Sequence, residues 1–143
     1  MNVARILKDK GREVAIVLLG TPLIQVVDLL AKKRIGATVV CDEIGHVKGI
    51  ISERDVVRVL SAQGPKALDD VVETHMTKDV KTCVESDSVE FLMEAMTSQR
   101  FRHMPVVSDG RLVGIVSIGD VVKQRIAIAE LEAASMRQYI ATG

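Results

Sequence analysis

The sequence predicts an α+β fold that contains two copies of one β-α-β-β-α unit and a long C-terminal helix. The main observation is an internal repeat: Gly49–Val57 (GIISERDVV) returns 65 residues later as Gly114–Val122 (GIVSIGDVV), with six of nine positions identical. Such self-similarity indicates a repeated structural unit. A second observation is that 48% of the residues are hydrophobic but only 2% are aromatic. We therefore expect an aliphatic core built by two similar halves.

The first copy shows the order of elements within the unit. Its predicted elements are a strand at Val14–Leu18, a helix at Thr21–Arg34, a hairpin of Ala37–Cys41 with Val47–Ile51, and a helix from Arg54 to about Leu60. Short β-branched runs predict the strands, and apolar residues at helical spacing predict the helices. Thr21 followed by Pro22 is the pattern of an N-cap with proline at the first helical position.

The second copy repeats this order. Its predicted elements are a strand at Val80–Val84, a helix at Asp87–Arg100, a hairpin of Met104–Val107 with Leu112–Val116, and a helix from Asp120 onward. Asp87 and Glu90 have the spacing of a capping box. A linker at Ser61–Asp70, which contains Gly64 and Pro65, separates the copies. We therefore predict a first domain at 8–68, a second at 72–130 and a helical extension at 131–143.

The last helix carries an apolar stripe that continues beyond the repeat. Its members recur at alternating steps of four and three residues: Val122, Ile126, Ala129, Ala133, Met136 and Ile140. This heptad-like spacing is typical of a helix that packs against another helix. Either the core of the same chain or a second chain is the expected partner.

Composition excludes several classes of protein. The 19 Lys and Arg residues balance 19 Asp and Glu residues, so the basic surface that nucleic-acid binding requires is not expected. The longest apolar run, Val14–Leu19, is far shorter than the ~20 residues of a membrane span. The N-terminus lacks the pattern of a signal peptide, and Cys41 and Cys83 lie in apolar runs, as reduced core thiols do. We expect a cytoplasmic protein without a membrane or nucleic-acid partner.

The strongest local motif is Ser-x-x-Asp, present as Ser52 with Asp55 and as Ser117 with Asp120 where a strand meets a helix. One interpretation is a capping box, which both copies would need. The other is a ligand site, in which the helix N-terminus holds a phosphate and the carboxylate accepts hydrogen bonds from a ribose diol. The two interpretations are compatible.

A second candidate is the basic cluster Arg100-Phe-Arg-His103, which precedes a predicted strand. It is either a solvated charge cluster or a phosphate-binding group. No nucleophile elbow, P-loop or GxGxxG motif is present, and the histidines and cysteines lack metal-ligand spacing. The residues therefore favour binding without catalysis, and we predict neither an enzyme nor a metal site.

The doubled Gly-h-h-Ser-x-x-Asp motif (h is apolar), together with RFRHMPV in the second copy, resembles a tandem pair of cystathionine-β-synthase (CBS) domains, a Bateman module. The resemblance covers roughly residues 8–130, and the chain is similar to small stand-alone bacterial CBS pairs. It implies two copies packed by their sheets with pseudo-twofold symmetry, two clefts between them, and association into dimers. Family clefts bind adenosine-containing ligands such as AMP, ADP, ATP, S-adenosylmethionine or NAD(H).

The resemblance also implies roles for individual residues. The implied binding residues are Ile16, Ala37, Thr38, Ser52, Arg54, Asp55, Thr82, Arg102, His103, Met104, Pro105, Ser117, Ile118 and Asp120. The aspartates would hold the ribose, whereas the serines, the arginines and His103 would face phosphate. Thr82 would line the base pocket, and the backbone around Ala37, Thr38 and Met104 would contact the adenine edge.

Three departures make the two clefts unequal. Ile16 and Val39 stand where the second copy has the family's threonine and proline, Thr82 and Pro105. Gly119 stands where the second copy in the family often has a polar residue. The expected function is a non-catalytic regulatory module that binds an adenine nucleotide, requires no cofactor, forms a homodimer and signals to a downstream protein. The alternative is a structural or interaction dimer with vestigial clefts.

Overall fold

The computed structural model describes residues 1–142, and within them five α-helices and five strands are formed. The helices are α1 (Val3–Lys10), α2 (Leu23–Lys33), α3 (Glu53–Gln63), α4 (Val89–Gln99) and α5 (Ile118–Thr142). The strands are β1 (Ile16–Leu18), β2 (Ala37–Cys41), β3 (Val47–Ser52), β4 (His103–Ser108) and β5 (Arg111–Ser117). Two short 3-10 helices, Pro65–Asp69 and Val72–Thr74, lie in the linker, which spans residues 64–79 instead of the predicted 61–70 because α3 continues to Gln63. The predicted α+β repeat is confirmed, with α1 as an additional element.

The first copy forms a three-stranded sheet in the order β1-β2-β3. β1 runs parallel to β2, with Val17 opposite Val40, and β2 runs antiparallel to β3, with Val39 opposite Ile50. Every residue of β2 is buried. Burial along a whole strand indicates that both faces of the sheet are covered.

The second copy forms a two-stranded sheet of β4 and β5, and the predicted strand Val80–Val84 is wrong. Only Cys83 makes a parallel bridge there: its N–H donates to the Pro105 carbonyl, and its own carbonyl accepts from Val107 N. The next parallel bond would need a donor at Pro105, and proline has no N–H. Val39 stands at this position in the first copy and pairs with Ile16, so Pro105 accounts for the missing pair at Thr82.

The predicted caps of α2 and α4, Thr21 and Asp87, are also wrong, because other residues satisfy the first amides of these helices. α2 begins at Leu23, whose N–H donates to the Asp70 carbonyl, while the Thr21 hydroxyl donates to Leu18. α4 begins after Ser88, whose hydroxyl accepts from Phe91 N. The helix amides that need partners are thus met by neighbouring segments and by a different cap residue.

The two leading segments, residues 1–10 before the first copy and residues 65–79 before the second, each pack on the other copy. Val3 N donates to the Asp87 carbonyl at 3.0 Å, and Val72 N donates to the Thr21 carbonyl at 2.8 Å. These two hydrogen bonds are related by the pseudo-twofold symmetry of the repeat. The exchange joins the copies, because each lacks part of its core without the other's leading segment.

The buried side chains form two clusters, one for each copy. The second copy's cluster includes Val3, Ile6 and Leu7 of α1, together with Leu92, Met104 and Val116. The first copy's cluster includes Ala67 and Val72 of the linker, together with Leu23, Val26 and Ile51. Both clusters are aliphatic, as the composition predicts.

Helix α5 is buried only near its start. Val121 and Gln124 are its buried residues, and every described residue from Ala129 onward is exposed. The apolar stripe includes Ile126, Met136 and Ile140, which are 55%, 61% and 71% exposed, so the chain's own core does not cover it. The predicted extension 131–143 ends at Gly143, which lies outside the described residues. Among residues 1–142, no helix is both long enough and apolar enough to cross a membrane.

Candidate functional site

A cleft of about 380 Å³ opens where the two copies and the linker meet. The first copy contributes the start of β2, the end of β3 and the first turns of α3. The second copy contributes the residues from the end of α4 to the start of β4. The lining residues are Gly36, Ala37, Ile50, Ser52, Glu53, Arg54, Asp55, Arg58, Thr77, Asp79, Val80, Lys81, Gln99, Arg100, Phe101, Arg102 and His103.

Ser52 and Asp55 form a complete capping box at the N-terminus of α3. Asp55 Oδ2 accepts from Ser52 N at 2.9 Å and from Ser52 Oγ at 3.0 Å, while Asp55 N donates to Ser52 Oγ at 3.2 Å. The capping interpretation of this motif is confirmed. The second carboxylate oxygen, Asp55 Oδ1, has only Arg58 nearby, at 3.7 Å, so it remains available as an acceptor towards the cleft.

The first turn of α3 offers little positive potential of its own. Glu53 N donates to the Gly36 carbonyl and Asp55 N to Ser52, which leaves Arg54 N as the first-turn amide without an acceptor among residues 1–142. A helix N-terminus attracts anions, but the carboxylates of Glu53 and Asp55 lie in this same turn and offset that attraction. An anion in the cleft therefore depends on basic side chains.

The cleft lining supplies these cations. Five basic side chains (Arg54, Arg58, Lys81, Arg100 and Arg102) face three carboxylates (Glu53, Asp55 and Asp79). Arg58 and Lys81 lie within 4.0 Å of Asp55 and Asp79, respectively. Arg54, Arg100 and Arg102 make no ion pair within residues 1–142. Guanidinium groups without a carboxylate partner suit the recognition of phosphate.

His103 lies between the two copies at the start of β4. A Cβ atom added to Gly36 would lie 3.5 Å from His103 Cε1, so the first copy approaches the ring closely. Burial lowers the pKa of His103, and the nearby cations Lys10 and Arg102 lower it further. The carboxylates of Asp120 and Glu53 raise this pKa, but their effect is smaller. Above pH 6.5 the imidazole is therefore mainly neutral, and one ring nitrogen can donate a hydrogen bond while the other accepts one.

The second copy repeats the capping box but adds a cation to it. Ser117 N donates to Asp120 Oδ2 at 2.9 Å, and Asp120 N donates to Ser117 Oγ at 3.2 Å. Lys10 Nζ of α1 also donates to Asp120 Oδ2, at 2.7 Å. Burial raises the pKa of Asp120, but the hydrogen bonds from Lys10 and Ser117 outweigh it, so the pKa is below its usual value.

The structure brings six of the sequence-predicted residues into one cleft: Ala37, Ser52, Arg54, Asp55, Arg102 and His103. Ser117 at the end of β5, and Ile118 and Asp120 in the first turn of α5, do not line this cleft. Thr38, Met104 and Pro105 are buried. Ile16 is exposed on β1, and Thr82 is exposed at the corresponding position of the second copy.

Sequence reasoning missed Arg58, Lys81 and Lys10. Arg58 follows Arg54 by one helical turn, and this spacing places both on one helix face, so a signal was present. Lys10 carried none, because it belongs to a leading segment outside the repeat. Among residues 1–142, no group of three His, Cys, Asp or Glu side chains is arranged to hold a metal ion.

Comparison with known proteins gives the same repeat. A family model described as CBS domain matches residues 5–62 and again residues 68–126. A CBS-domain containing protein from Agrobacterium tumefaciens, known as a crystal structure, is 44% identical with a TM-score of 0.83, over 87% of this chain and 99% of that chain. CBSX2, crystallised in complex with AMP, is 26% identical with a TM-score of 0.72, over 82% of this chain and 90% of that chain.

A curated relative extends the comparison. A 17.7 kDa protein of Acidianus ambivalens is 36% identical over 104 residues, which make up 72% of this chain. This chain spans 62% of the length of that relative. The doubled family match and the shared fold agree with the doubled motif and with the two copies of the repeat. The chain therefore belongs to the CBS-domain family, as a tandem pair of CBS domains.

Proposed function

We propose that this CBS pair is a non-catalytic regulatory module that binds an adenine nucleotide in the cleft. The observation that carries the proposal is one juxtaposition: Asp55 of the first copy and Arg102 of the second line the same cavity of about 380 Å³. A carboxylate suits a ribose diol, and a guanidinium suits a phosphate. The volume is in the range of small-molecule sites, roughly 300–1,000 Å³.

The chemistry of the lining assigns each part of the ligand. Asp55 Oδ1 accepts from the ribose hydroxyls, because Oδ2 is already used by Ser52. The Ser52 hydroxyl both donates to and accepts from Asp55, so the phosphate role implied for it passes to Arg54 and Arg102. The apolar side chains of Ile50, Val80 and Phe101 and the backbone at Ala37 form the part of the cleft suited to adenine.

The proposed class of ligand rests on the ligand of a related protein and on the positive charges that line the cleft. CBSX2, which shares this fold, was crystallised with AMP. The three arginines without carboxylate partners would also accommodate the longer phosphate chains of ADP and ATP or the pyrophosphate of NAD(H). The proposal therefore covers adenine mononucleotides and dinucleotides and needs no other cofactor.

Signalling follows from the position of the cleft. A ligand that contacts both copies favours the relative position of the copies in which it can make both groups of contacts. The population of that conformation rises when the ligand binds, and a partner protein can recognise the change. A homodimer is part of the proposal. It is supported by the repeat-related residues Val57 and Val122, which are 66% and 41% exposed on α3 and α5. The cytoplasmic location and the existence of a downstream protein stay predictions.

Calorimetric titration with AMP, ADP, ATP and NADH tests the proposal. We expect saturable heat with at least one of them, and loss of about 1.5–3 kcal/mol of binding free energy in Asp55→Asn and Arg102→Gln, the range for hydrogen bonds to charged groups. Asp28→Asn is the matched control, because Asp28 is an exposed carboxylate on α2 that forms an ion pair with Lys32. Absence of heat with all four nucleotides, or unchanged affinity in both cleft variants, would contradict the proposal.

The alternative function is an interaction module whose clefts are vestigial. The observation that favours it is the exposed apolar stripe on α5, where Leu131, Met136 and Ile140 are all more than 60% exposed. This alternative predicts that removing residues 131–143 abolishes assembly, while adenine nucleotides change neither assembly nor thermal stability. Sedimentation velocity with and without AMP distinguishes the two functions.

A further inference from the structure

Helix α5 carries its apolar stripe on a side that faces away from the rest of the chain. Val121 and Gln124 are buried and Ile128 is half-buried, so these residues mark the side of α5 that contacts its own core. Because an α-helix turns about 100° per residue, the stripe is centred roughly 130° around the helix from that side. All members of the stripe are exposed. The core of the same chain therefore does not cover them, whereas a second helix can.

The spacing of the stripe gives each member a heptad position. The a positions are Ile126, Ala133 and Ile140, and the d positions are Val122, Ala129 and Met136. Isoleucine at a favours a two-stranded coiled coil when it does not also occupy d. Residues 122–140 extend over roughly 28 Å of helix, so the stripe offers a continuous seam to a partner helix.

Charged residues flank the stripe on both sides. The charged e positions are Lys123, Glu130 and Arg137, and the charged g positions are Arg125 and Glu132. Arg125 lies 3.2 Å from Glu90 of its own chain, in a pair that is exposed on both sides. The other four form no ion pair within residues 1–142. Residues at e and g set the orientation of a coiled coil, because they meet the partner helix beside the seam.

A parallel pair in register places opposite charges together on both flanks. Each g residue then lies beside the partner's e residue five positions further along the chain. Arg125 meets the partner's Glu130, Glu132 meets the partner's Arg137, and the two-fold axis repeats both contacts. An antiparallel pair that covers the whole stripe instead places Glu130 beside the partner's Glu130 and Glu132 beside the partner's Glu132, where like charges repel.

We propose that residues 122–140 of α5 bind the same residues of a second copy of this chain as a parallel, in-register coiled coil. The flanking charges select this arrangement among those that cover the whole stripe. The inference goes beyond the proposed function, because the helix pair needs no nucleotide and has a defined orientation. The layers at Ala129 and Ala133 bury little apolar area, so the association should depend strongly on protein concentration.

Charge reversal in the full chain tests the orientation, with sedimentation equilibrium as the measurement. Glu132→Arg and Arg137→Glu should each weaken dimerisation by roughly two- to thirtyfold, since each removes two exposed ion pairs from the dimer. The double variant exchanges the two charges and restores opposite signs, so it should dimerise like the unmodified chain. Glu43→Arg is the matched control, because Glu43 is an exposed carboxylate in the turn between β2 and β3.

These reversals leave the helix itself unperturbed. The residues three and four positions away from Glu132 and from Arg137 are all uncharged, so neither substitution creates or removes an ion pair along the same helix. Urea denaturation at low protein concentration should therefore give the same free energy of unfolding for every variant.

A disulfide reports which residues face each other across the seam. In the proposed pair Ala133 faces the partner's Ala133, so Ala133→Cys should form a disulfide between chains on oxidation with diamide. Ser135→Cys, which is exposed on another side of α5, is the control and should stay a single chain on a non-reducing gel. The native Cys41 and Cys83 are buried and do not compete.

The outcomes separate the orientation from the pairing. Weaker dimerisation in both single variants, recovery in the double variant and the disulfide at residue 133 would together support the parallel pair. Weakening by only one substitution, without recovery, is expected of an antiparallel pair shifted along the stripe and would overturn the orientation. A chain that stays monomeric, or a dimer that none of these substitutions weakens, would overturn the pairing itself. No nucleotide is present in these measurements, so none of these outcomes decides whether the cleft binds adenine nucleotides.

Discussion

Gly114 of β5 lies directly against Leu7 of α1: a Cβ atom added to Gly114 would lie 2.7 Å from Leu7 Cδ2 and 2.9 Å from Cδ1. Leu7 is 1% exposed, so its methyl groups have no open space to enter. Gly49, the repeat counterpart of Gly114, meets Met76 in the same way, with Cγ at 2.8 Å from the added Cβ. The glycine that begins each Gly-h-h-Ser-x-x-Asp motif therefore permits the leading segment to pack on the opposite copy.

Replacing Gly114 with alanine should destabilise the protein. The added methyl group would overlap buried side-chain atoms, and overpacking of this kind typically costs about 1–3 kcal/mol. Urea denaturation should show a lower free energy of unfolding in Gly114→Ala and in Gly49→Ala. Gly119→Ala is the control, because its Cβ would meet nothing closer than Ser117 Oγ at 3.6 Å, and alanine is a better helix former than glycine.

The pair Gly114 and Leu7 should be coupled energetically. Leu7→Ala alone should cost about 2–5 kcal/mol, as for other large-to-small changes in a core. In the Leu7→Ala background, Gly114→Ala should cost less than it does alone, because the space for its methyl group is then available. A double-mutant cycle measures this coupling, and strictly additive free energies of unfolding would show that the two residues do not contact each other.

The repeat was predictable, whereas the exchange of leading segments was not. Residues 49–57 and 114–122 share six identical amino acids, and this identity defines the two units. The spacing of apolar residues within each unit predicts its helices and its hairpin. Residues 1–10 have no counterpart in that identity, so nothing predicted that Leu7 would fill the second copy's core or that Lys10 would reach Asp120. The missing pair between Thr82 and residue 105 depends on the absent N–H of Pro105, which matters only once the neighbouring segment is known to be parallel.

The stability of the protein should fall as the pH falls below about 6.5, and His103 should contribute to this fall. Burial, with help from Lys10 and Arg102, lowers the pKa of His103 from the ordinary value of 6.5. In that window the unfolded chain takes up a proton at this position more readily than the folded chain, so protonation favours unfolding. The stabilising contribution is complete above pH 6.5 and is lost as the pH falls towards the lowered pKa.

The variant His103→Gln isolates this contribution, because glutamine does not titrate. Urea denaturation at pH 7.5 and at pH 5.5 should give a smaller difference in the free energy of unfolding for His103→Gln than for the unmodified protein. An equal or larger difference in the variant would assign the pH dependence to other groups.

Arg100 should lower the free energy of unfolding, although its side chain lines the cleft and contributes to ligand binding. It ends α4 in the left-handed conformation, with φ at +58°, as Arg34 ends α2 with φ at +53°. This conformation costs roughly 1–2 kcal/mol for a residue with a Cβ atom and is the usual place for glycine. Arg100→Gly should therefore raise or preserve the free energy of unfolding but weaken AMP binding, because Arg100 lines the cleft. Arg34→Gly should have the same effect on stability with unchanged binding, and weaker binding in both variants would contradict this explanation.

The two cysteines should not react with alkylating reagents in the folded protein. Burial, reinforced by the nearby Asp87 carboxylate, raises the pKa of Cys83 to about 12, and burial followed by Asp42 raises the pKa of Cys41. Because the thiolate is the reactive form, iodoacetamide at pH 8 should leave both unmodified. In urea the same reagent should label two thiols per chain, as mass spectrometry can count. Rapid labelling of either cysteine without denaturant would show that its segment opens readily.

Removing residues 131–143 should leave the folded monomer as stable as before. Residues 131–142 are all exposed, and changes at exposed positions usually alter the free energy of unfolding by less than about 0.5 kcal/mol. If this part of α5 also joins two chains, the thermal midpoint of the full chain should rise with protein concentration, because association stabilises the folded state by mass action. The truncated chain should lose that dependence and show a smaller mass in sedimentation velocity. A truncated chain that unfolds at much lower urea concentration, at equal and low protein concentration, would instead show that this part of α5 supports the core of its own chain.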